Sequence, residues 1–280
     1  MALSLSPTPG PARSHEPAIE VSHVGISFED KLVLLDVSFQ VGRGETLVLL
    51  GVTGSGKSVL LKLLLGLLKP DSGRILIEGQ DLVPLSENEL SLVRRRMGIV
   101  FQEGALFDSL SVYENVAYRL REERERDEEK IECRVREVLR FVELEDAIDK
   151  MPAELSGGMR RRVSVARAII SNPLIMFYDS PTAGLDPVTA HAINVLIAKL
   201  RDTQGVSSIV VTHRLQDAFV LSNYVFSPEK QGLIAARTDG RSGRIDPTRF
   251  LVLRDGKVYF HGTREEFVLA QDTYLRKFLI

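Results

Sequence analysis

The segment GVTGSGKS, residues 51–58, sets three glycines, a lysine and a hydroxyl where a chain could wrap a phosphate. It follows the apolar run TLVLL and opens a helical pattern, the strand–loop–helix context that such a cradle requires. Gly51, Gly54 and Gly56 let backbone N–H groups turn inward, and the helix start adds its positive end. Lys57 would reach the β- and γ-phosphate oxygens, and the Ser58 hydroxyl would ligate magnesium. A bare glycine-rich turn is the plain alternative, and the flanking strand and helix argue against it. A second apolar run, LIMFYD, ends on Asp179, at the carboxyl end of a core strand where open α/β sheets bind ligands. Beside a phosphate cradle, a direct or indirect magnesium role outweighs a turn-capping one. The next position is Ser180, a hydroxyl where a water-orienting carboxylate would be sought. In LSGGMRRR, residues 155–162, Ser156, Gly157 and Gly158 open another helix and form a second potential anion site. One chain cannot bring both sites onto one phosphate if they lie on different lobes. A head-to-tail dimer resolves this, each nucleotide being gripped by one subunit's cradle and the other's LSGG.

These motifs, in this order, resemble the ATP-binding subunits of ABC transporters. The Walker A loop is GVTGSGKS, the Q-loop glutamine is Gln102 in VFQEGALF, and the signature is LSGGM. The Walker B strand is LIMFYD, the D-loop is AGLD, and the switch histidine is His213 in VVTHR. The resemblance spans about residues 19–226 and resumes near 250. It implies an α/β fold: a P-loop NTPase (RecA-like) core with an antiparallel β lobe and an inserted α-helical subdomain. It implies ATP and Mg2+ as cofactors, with Phe28 against adenine. The nucleotide would be held by Gly51, Val52, Thr53, Gly54, Ser55, Gly56, Lys57, Ser58, Val59, Gln102 and Asp179, and by Ser156, Gly157 and Gly158 of the other subunit. Ser58, Gln102 and Asp179 would serve the metal; His213, Gln102 and position 180 would serve catalysis.

Finer detail, FQEGALFDSLSVYENVAYRLRE and LSGGMRRRVSVARAI, is similar to the ATPases of MCE-type lipid-transport systems, including the Mla branch. That likeness implies a second ATP-binding subunit, a multi-pass permease and, indirectly, an MCE-type lipid-binding protein, with the chain peripheral on the cytoplasmic side of the inner membrane. Ala105, Leu106 and Phe107 then fall either at the permease-docking lobe or inside the fold. The family places a glutamate where this chain has Ser180. Three accounts follow: a hydrolase in which His213 or Glu103 orients the water, a nucleotide-gated switch with little hydrolysis, or a heterodimer whose partner carries the glutamate. The first ranks highest, because the other motifs are intact.

Around these motifs, short β-branched and apolar runs from Ile19 to Val48 predict strands, and a helix is expected over about 57–68. From Leu85 to about 150 the chain reads as a helical insertion (86–155), with Ile131, Val135, Val138, Leu139 and Val142 on one helical face. The run REERERDEEK reads as a solvated helix face. LIMFYD and SSIVVTH read as buried parallel strands, and Asp255-Gly256 as a type I′ hairpin turn. Residues 227–249 read as a variable loop, 1–17 as a disordered leader, and 18–280 as one ATP-binding domain.

Of 280 residues, 44% are hydrophobic and 26% charged, with a net charge of −2, which gives no global pull toward nucleic acid or acidic membrane. The basic runs RRRM and MRRRV lack interleaved aromatics and read as phosphate-facing or solvated helix surface, so no nucleic-acid partner is expected. The longest apolar stretch, VLLKLLLGLL, is interrupted by Lys62 and is about half of what a membrane span needs. The single cysteine, Cys133, excludes an internal disulfide and reads as a bystander thiol.

Overall fold

The computed structural model describes residues 16–29, 31–236, 247–276 and 278; the first fifteen residues of the expected leader lie outside them. In chain order the strands are β1 (Ile19–Phe28), β2 (Lys31–Val41), β3 (Thr46–Leu50), β4 (Ser72–Ile77), β5 (Gln80–Asp81), β6 (Met97–Val100), β7 (Ile175–Asp179), β8 (Ser207–Val211), β9 (Tyr224–Ser227), β10 (Gly232–Ala235), β11 (Thr248–Arg254) and β12 (Lys257–Gly262). The helices are α1 (Lys57–Leu64), α2 (Glu87–Arg94), α3 (Val112–Glu122), α4 (Glu128–Phe141), α5 (Gly157–Ile169), α6 (Pro187–Gln204), α7 (Leu215–Asn223), α8 (Arg264–Leu269) and α9 (Thr273–Arg276).

One sheet is antiparallel, in the order β2-β1-β4-β5, and a larger one runs β12-β11-β3-β8-β7-β6. In the larger sheet β11, β3, β8, β7 and β6 are parallel, and β12 pairs antiparallel at one edge. Its strands are apolar without alternation because both faces are covered. The period of two then divides them between two cores. Val48, Leu50, Met176, Tyr178, Phe250 and Val252 pack with α3 to α7, while their neighbours Leu47, Leu49, Ile175, Phe177, Leu251 and Leu253 pack with α1, α2 and the antiparallel sheet.

Ile131, Val135, Val138, Leu139 and Val142 are all buried. Arg254 pairs with Lys257 across a two-residue turn in which Asp255 and Gly256 both have positive φ, 50° and 73°, as a type I′ turn demands. The charged run around α3 and α4 carries exposed ion pairs, Arg121–Glu128 and Lys130–Asp127. Cys133 is exposed.

The stretch from 86 onward is not helical throughout. β6 lies within it and forms the edge of the parallel sheet beside β7, and α2 is tied to the end of α1, because Arg94 donates to the Leu65 and Gly66 carbonyls, each at 2.9 Å. Within 227–249, β10 pairs antiparallel with β9, whose Phe226 N–H, just before that stretch, donates to Asp202 at 2.7 Å; residues 237–246 lie outside the described set. The basic runs also differ from expectation. They do so at two positions: Arg95 and Arg96 are exposed, as a solvated surface requires, whereas Arg94 is partly buried against the Leu65 and Gly66 carbonyls and Arg161, 5% exposed, donates from Nη1 to the Phe101 carbonyl at 2.5 Å.

Candidate active site

Parallel strands deliver the site residues to one edge of the sheet. The register Leu49↔Val211↔Asp179 sets the ends of β3, β8 and β7 level, so Gly51, His213 and Ser180 emerge side by side. Val100 of β6 pairs with Tyr178, and Gln102 follows Val100 by two residues, as Ser180 follows Tyr178.

Two of the three cradle glycines leave no room for a side chain, whereas a Cβ on Gly54 would meet nothing within 4 Å. A Cβ on Gly51, whose φ is 153°, would lie 2.5 Å from Ser55 Oγ and 2.7 Å from the Leu253 carbonyl. One on Gly56, at φ 100°, would lie 2.5 Å from Leu34 Cδ2. β2 and the β11–β12 turn thus back the loop, and Leu35 N–H donates to the Gly256 carbonyl at 2.8 Å. Gly56 caps α1 without a side-chain hydrogen bond, and no acidic residue occupies the first turn. The helix start therefore keeps N–H donors and a positive end for an anion. Val52, Thr53, Gly54 and Ser58 are exposed and Val59 is half-buried. Phe28, 43% exposed, ends β1 just beyond a shift in the β1–β2 register between Ile26 and Ser27.

Lys57 Nζ donates to the Gly51 and Val52 carbonyls at 2.7 and 2.9 Å and lies 3.5 Å from Ser55 Oγ. Burial pushes its pKa below the ordinary lysine value, and the Asp179 charge works against that. Ser180 sits in the left-handed region at φ 48°, immediately before Pro181. Strain of this kind costs on the order of 1–3 kcal/mol and persists only where the surroundings impose it. Here Ser180 N–H donates to the Val211 carbonyl at 2.8 Å and Oγ donates to Asp179 Oδ1 at 3.4 Å. The hydroxyl is thus turned onto Asp179. His213 and Gln102 are exposed.

The second anion site is built differently. Ser156 caps α5 by accepting the Met159 N–H at 3.2 Å, and a Cβ on Gly157 would lie 3.6 Å from Leu185 of the D-loop. A Cβ on Gly158 would lie 2.3 Å from Thr189 Cγ2, and Thr189 is pinned because its hydroxyl donates to Asp186 at 2.5 Å. Gly158→Ala is therefore expected to lower stability by about 1–3 kcal/mol by overpacking. Denaturant unfolding checks this; an unchanged midpoint would contradict the close approach. The strands thus gather Gly51–Ser58, Gln102, Asp179, Ser180 and His213, whereas Ser156, Gly157 and Gly158 pack on the D-loop and the start of α6.

Sequence reasoning missed a buried polar cluster beneath this edge. Asp217 accepts from the Thr182 hydroxyl, from Asn194 Nδ2 at 2.9 Å and from Thr212 Oγ1 at 3.3 Å. The available signal was an aspartate in the first turn of a mainly apolar helix. Arg214, beside the cluster, was also missed.

A family model described as ABC transporter matches residues 34–183, more than half of the chain. The chain belongs to the ABC transporter family. It is, as such, an ATP hydrolase built on the ABC ATPase fold. Among the relatives of this ABC protein, the intermembrane phospholipid transport system ATP-binding protein MlaF of Haemophilus influenzae is 35% identical over 93% of this chain and 89% of its own length. The probable ribonucleotide transport ATP-binding protein mkl of Mycobacterium leprae is 42% identical over 72% of this chain, which spans 58% of that relative. A dimeric, post-hydrolysis structure of the ATP-binding cassette MJ0796, bound to ADP and Pi, is 29% identical with a TM-score of 0.70, covering 88% of this chain and 98% of its own.

Proposed function

We propose that this ABC protein is the energy-coupling subunit of a lipid transporter. Two copies close on ATP and pass that closure to a multi-pass permease on the cytoplasmic side of the inner membrane, which in turn serves an MCE-type lipid-binding protein. The observation that carries the cargo class is the MlaF match, because it extends over 93% of the chain against 72% for the mkl match. Among the described residues no helix is long and apolar enough to cross a membrane, so coupling requires a separate permease. Phe107, 42% exposed and tilted 44° against Tyr118 with ring centroids 4.7 Å apart, would offer the permease a docking surface.

The site's composition suits magnesium triphosphate. Gly51, Gly54, Gly56 and the start of α1 receive the phosphates, Lys57 supplies the cation, and Ser58, Asp179 and the Gln102 amide offer the hard oxygen donors that Mg2+ prefers. When bound, the metal draws charge from the phosphate oxygens. The chain's own residues do the rest: the cradle orients the phosphates, Ser156, Gly157 and Gly158 of the second copy close the site, and His213 orients the attacking water. Ser180 is unsuited to that role, since a serine accepts a proton poorly at neutral pH.

Steady-state ATPase assays of the purified transporter test this reading. Ser180→Ala should leave turnover near the native rate. Negligible native turnover with a large rise in Ser180→Glu would instead identify a nucleotide-gated switch, and two distinct ATPase chains in the complex would identify a heterodimer. Lipid analysis of the detergent-extracted complex tests the cargo: enriched phospholipid supports it, and its absence argues against it.

A further inference from the structure

The D-loop is gripped from two sides by guanidinium groups. Arg214 Nη1 donates to the carbonyls of Thr182 at 3.0 Å and Leu185 at 3.4 Å. From the other side Arg161, on the signature helix α5, reaches the Ala183 carbonyl with Nη2 at 3.4 Å. Each arginine is tied to a chemically important segment. Arg214 directly follows His213, its N–H donates to Thr212 Oγ1 at 3.0 Å, and its Nε stands 4.0 Å from buried Asp217. Arg161 Nη1 donates to the carbonyl of Phe101, the residue before Gln102.

The gripped segment is a tight, two-turn loop with a free tip. Ala183 N–H donates to Ser180 O at 3.0 Å and Leu185 N–H to Thr182 O at 3.2 Å. Gly184 at the tip has φ 74° and open space where a Cβ would stand. Asp217 fixes the base of the loop by accepting from the Thr182 hydroxyl. A planar guanidinium is suited to bridging two carbonyls while facing a carboxylate, whereas an ammonium is a point charge.

We propose that Arg214 is a positioning residue, with Arg161 as its counterpart, that locks the D-loop to the segments carrying His213 and Gln102. The tip at Gly184, the histidine and the glutamine then shift as one body when the cassette closes. This rests on the role assigned to His213 above.

The test uses the full chain with Arg214→Ala and Arg214→Lys. Arg214 is partly exposed at the rim of the cluster, so neither change empties the core. The expected result is a fall in kcat of about tenfold or more in Arg214→Ala, with KM and the affinity for a fluorescent ATP analogue unchanged, the pattern of lost transition-state positioning. Arg214→Lys should recover part of kcat, and amide exchange at Ala183 and Leu185 should quicken in Arg214→Ala. A lower melting temperature with native kcat and native exchange would reduce Arg214 to a stabilising contact and overturn the proposal. A joint fall in kcat and ATP affinity would also overturn it, placing Arg214 in binding. A native chain that binds ATP without turning it over would remove the His213 reading and the clamp with it. Normal native turnover with an unaffected Arg214→Ala would remove the clamp alone.

Discussion

His213→Ala is expected to lower ATP turnover by about 10²–10⁴-fold, the contribution of a positioned general base, or roughly 3–5 kcal/mol in the barrier. The expectation follows from geometry. His213 leaves β8 level with the ends of β3 and β7, and it is exposed at that edge, free to meet a water at the γ-phosphate. Ser180, the alternative, has its backbone held by Val211 and its hydroxyl turned to Asp179. Because the phosphate cradle is made by other residues, ATP affinity should survive the substitution. Turnover and equilibrium binding measured on the same preparation check this; a near-native rate in His213→Ala would return attention to Glu103.

Lys57→Met should weaken ATP binding by about 10²–10³-fold, since each charge-assisted contact to phosphate is worth about 1.5–3 kcal/mol and the lysine reaches more than one oxygen. The present partners of Nζ are neutral, two carbonyls and a hydroxyl, and Asp179 is the charge that offsets its burial. A triphosphate supplies a directly bonded anion, which this desolvated amine does not have among its hydrogen-bond partners. The pH dependence has a definite sign. ATP prefers the protonated amine, and burial has lowered the Lys57 pKa, so affinity falls as pH rises through that lowered value. Isothermal titration of native and Lys57→Met chains across the alkaline range measures both effects; equal affinities would remove Lys57 from the site.

Much of this arrangement was legible along the chain because the signals are local. Glycine positions, lysine and hydroxyl announce the cradle at 51–58, the helical face of α4 follows from a 3.6-residue period, and the Asp255-Gly256 turn follows from positive φ. What escaped depends on partners distant in sequence. β6 is four residues long, reads as part of a charged helical stretch, and is defined by its pairing with β7; Gly98 within it marks close packing, since a Cβ there would meet Met176 Sδ at 2.3 Å. Arg161 looks like part of a basic run but is buried against Phe101 and Ala183, residues 60 and 22 positions away. Asp217 likewise finds Thr182 and Asn194 only through the fold.

Light scattering of the full-length His213→Ala chain, which should hold ATP uncleaved, tests the composite site most directly when run with and without saturating magnesium-ATP. The account predicts a monomer that becomes a dimer on adding the nucleotide, and a loss of that dimer when Ser156→Arg fills the second anion site. A chain that binds ATP yet stays monomeric, or a dimer indifferent to Ser156→Arg, would contradict it.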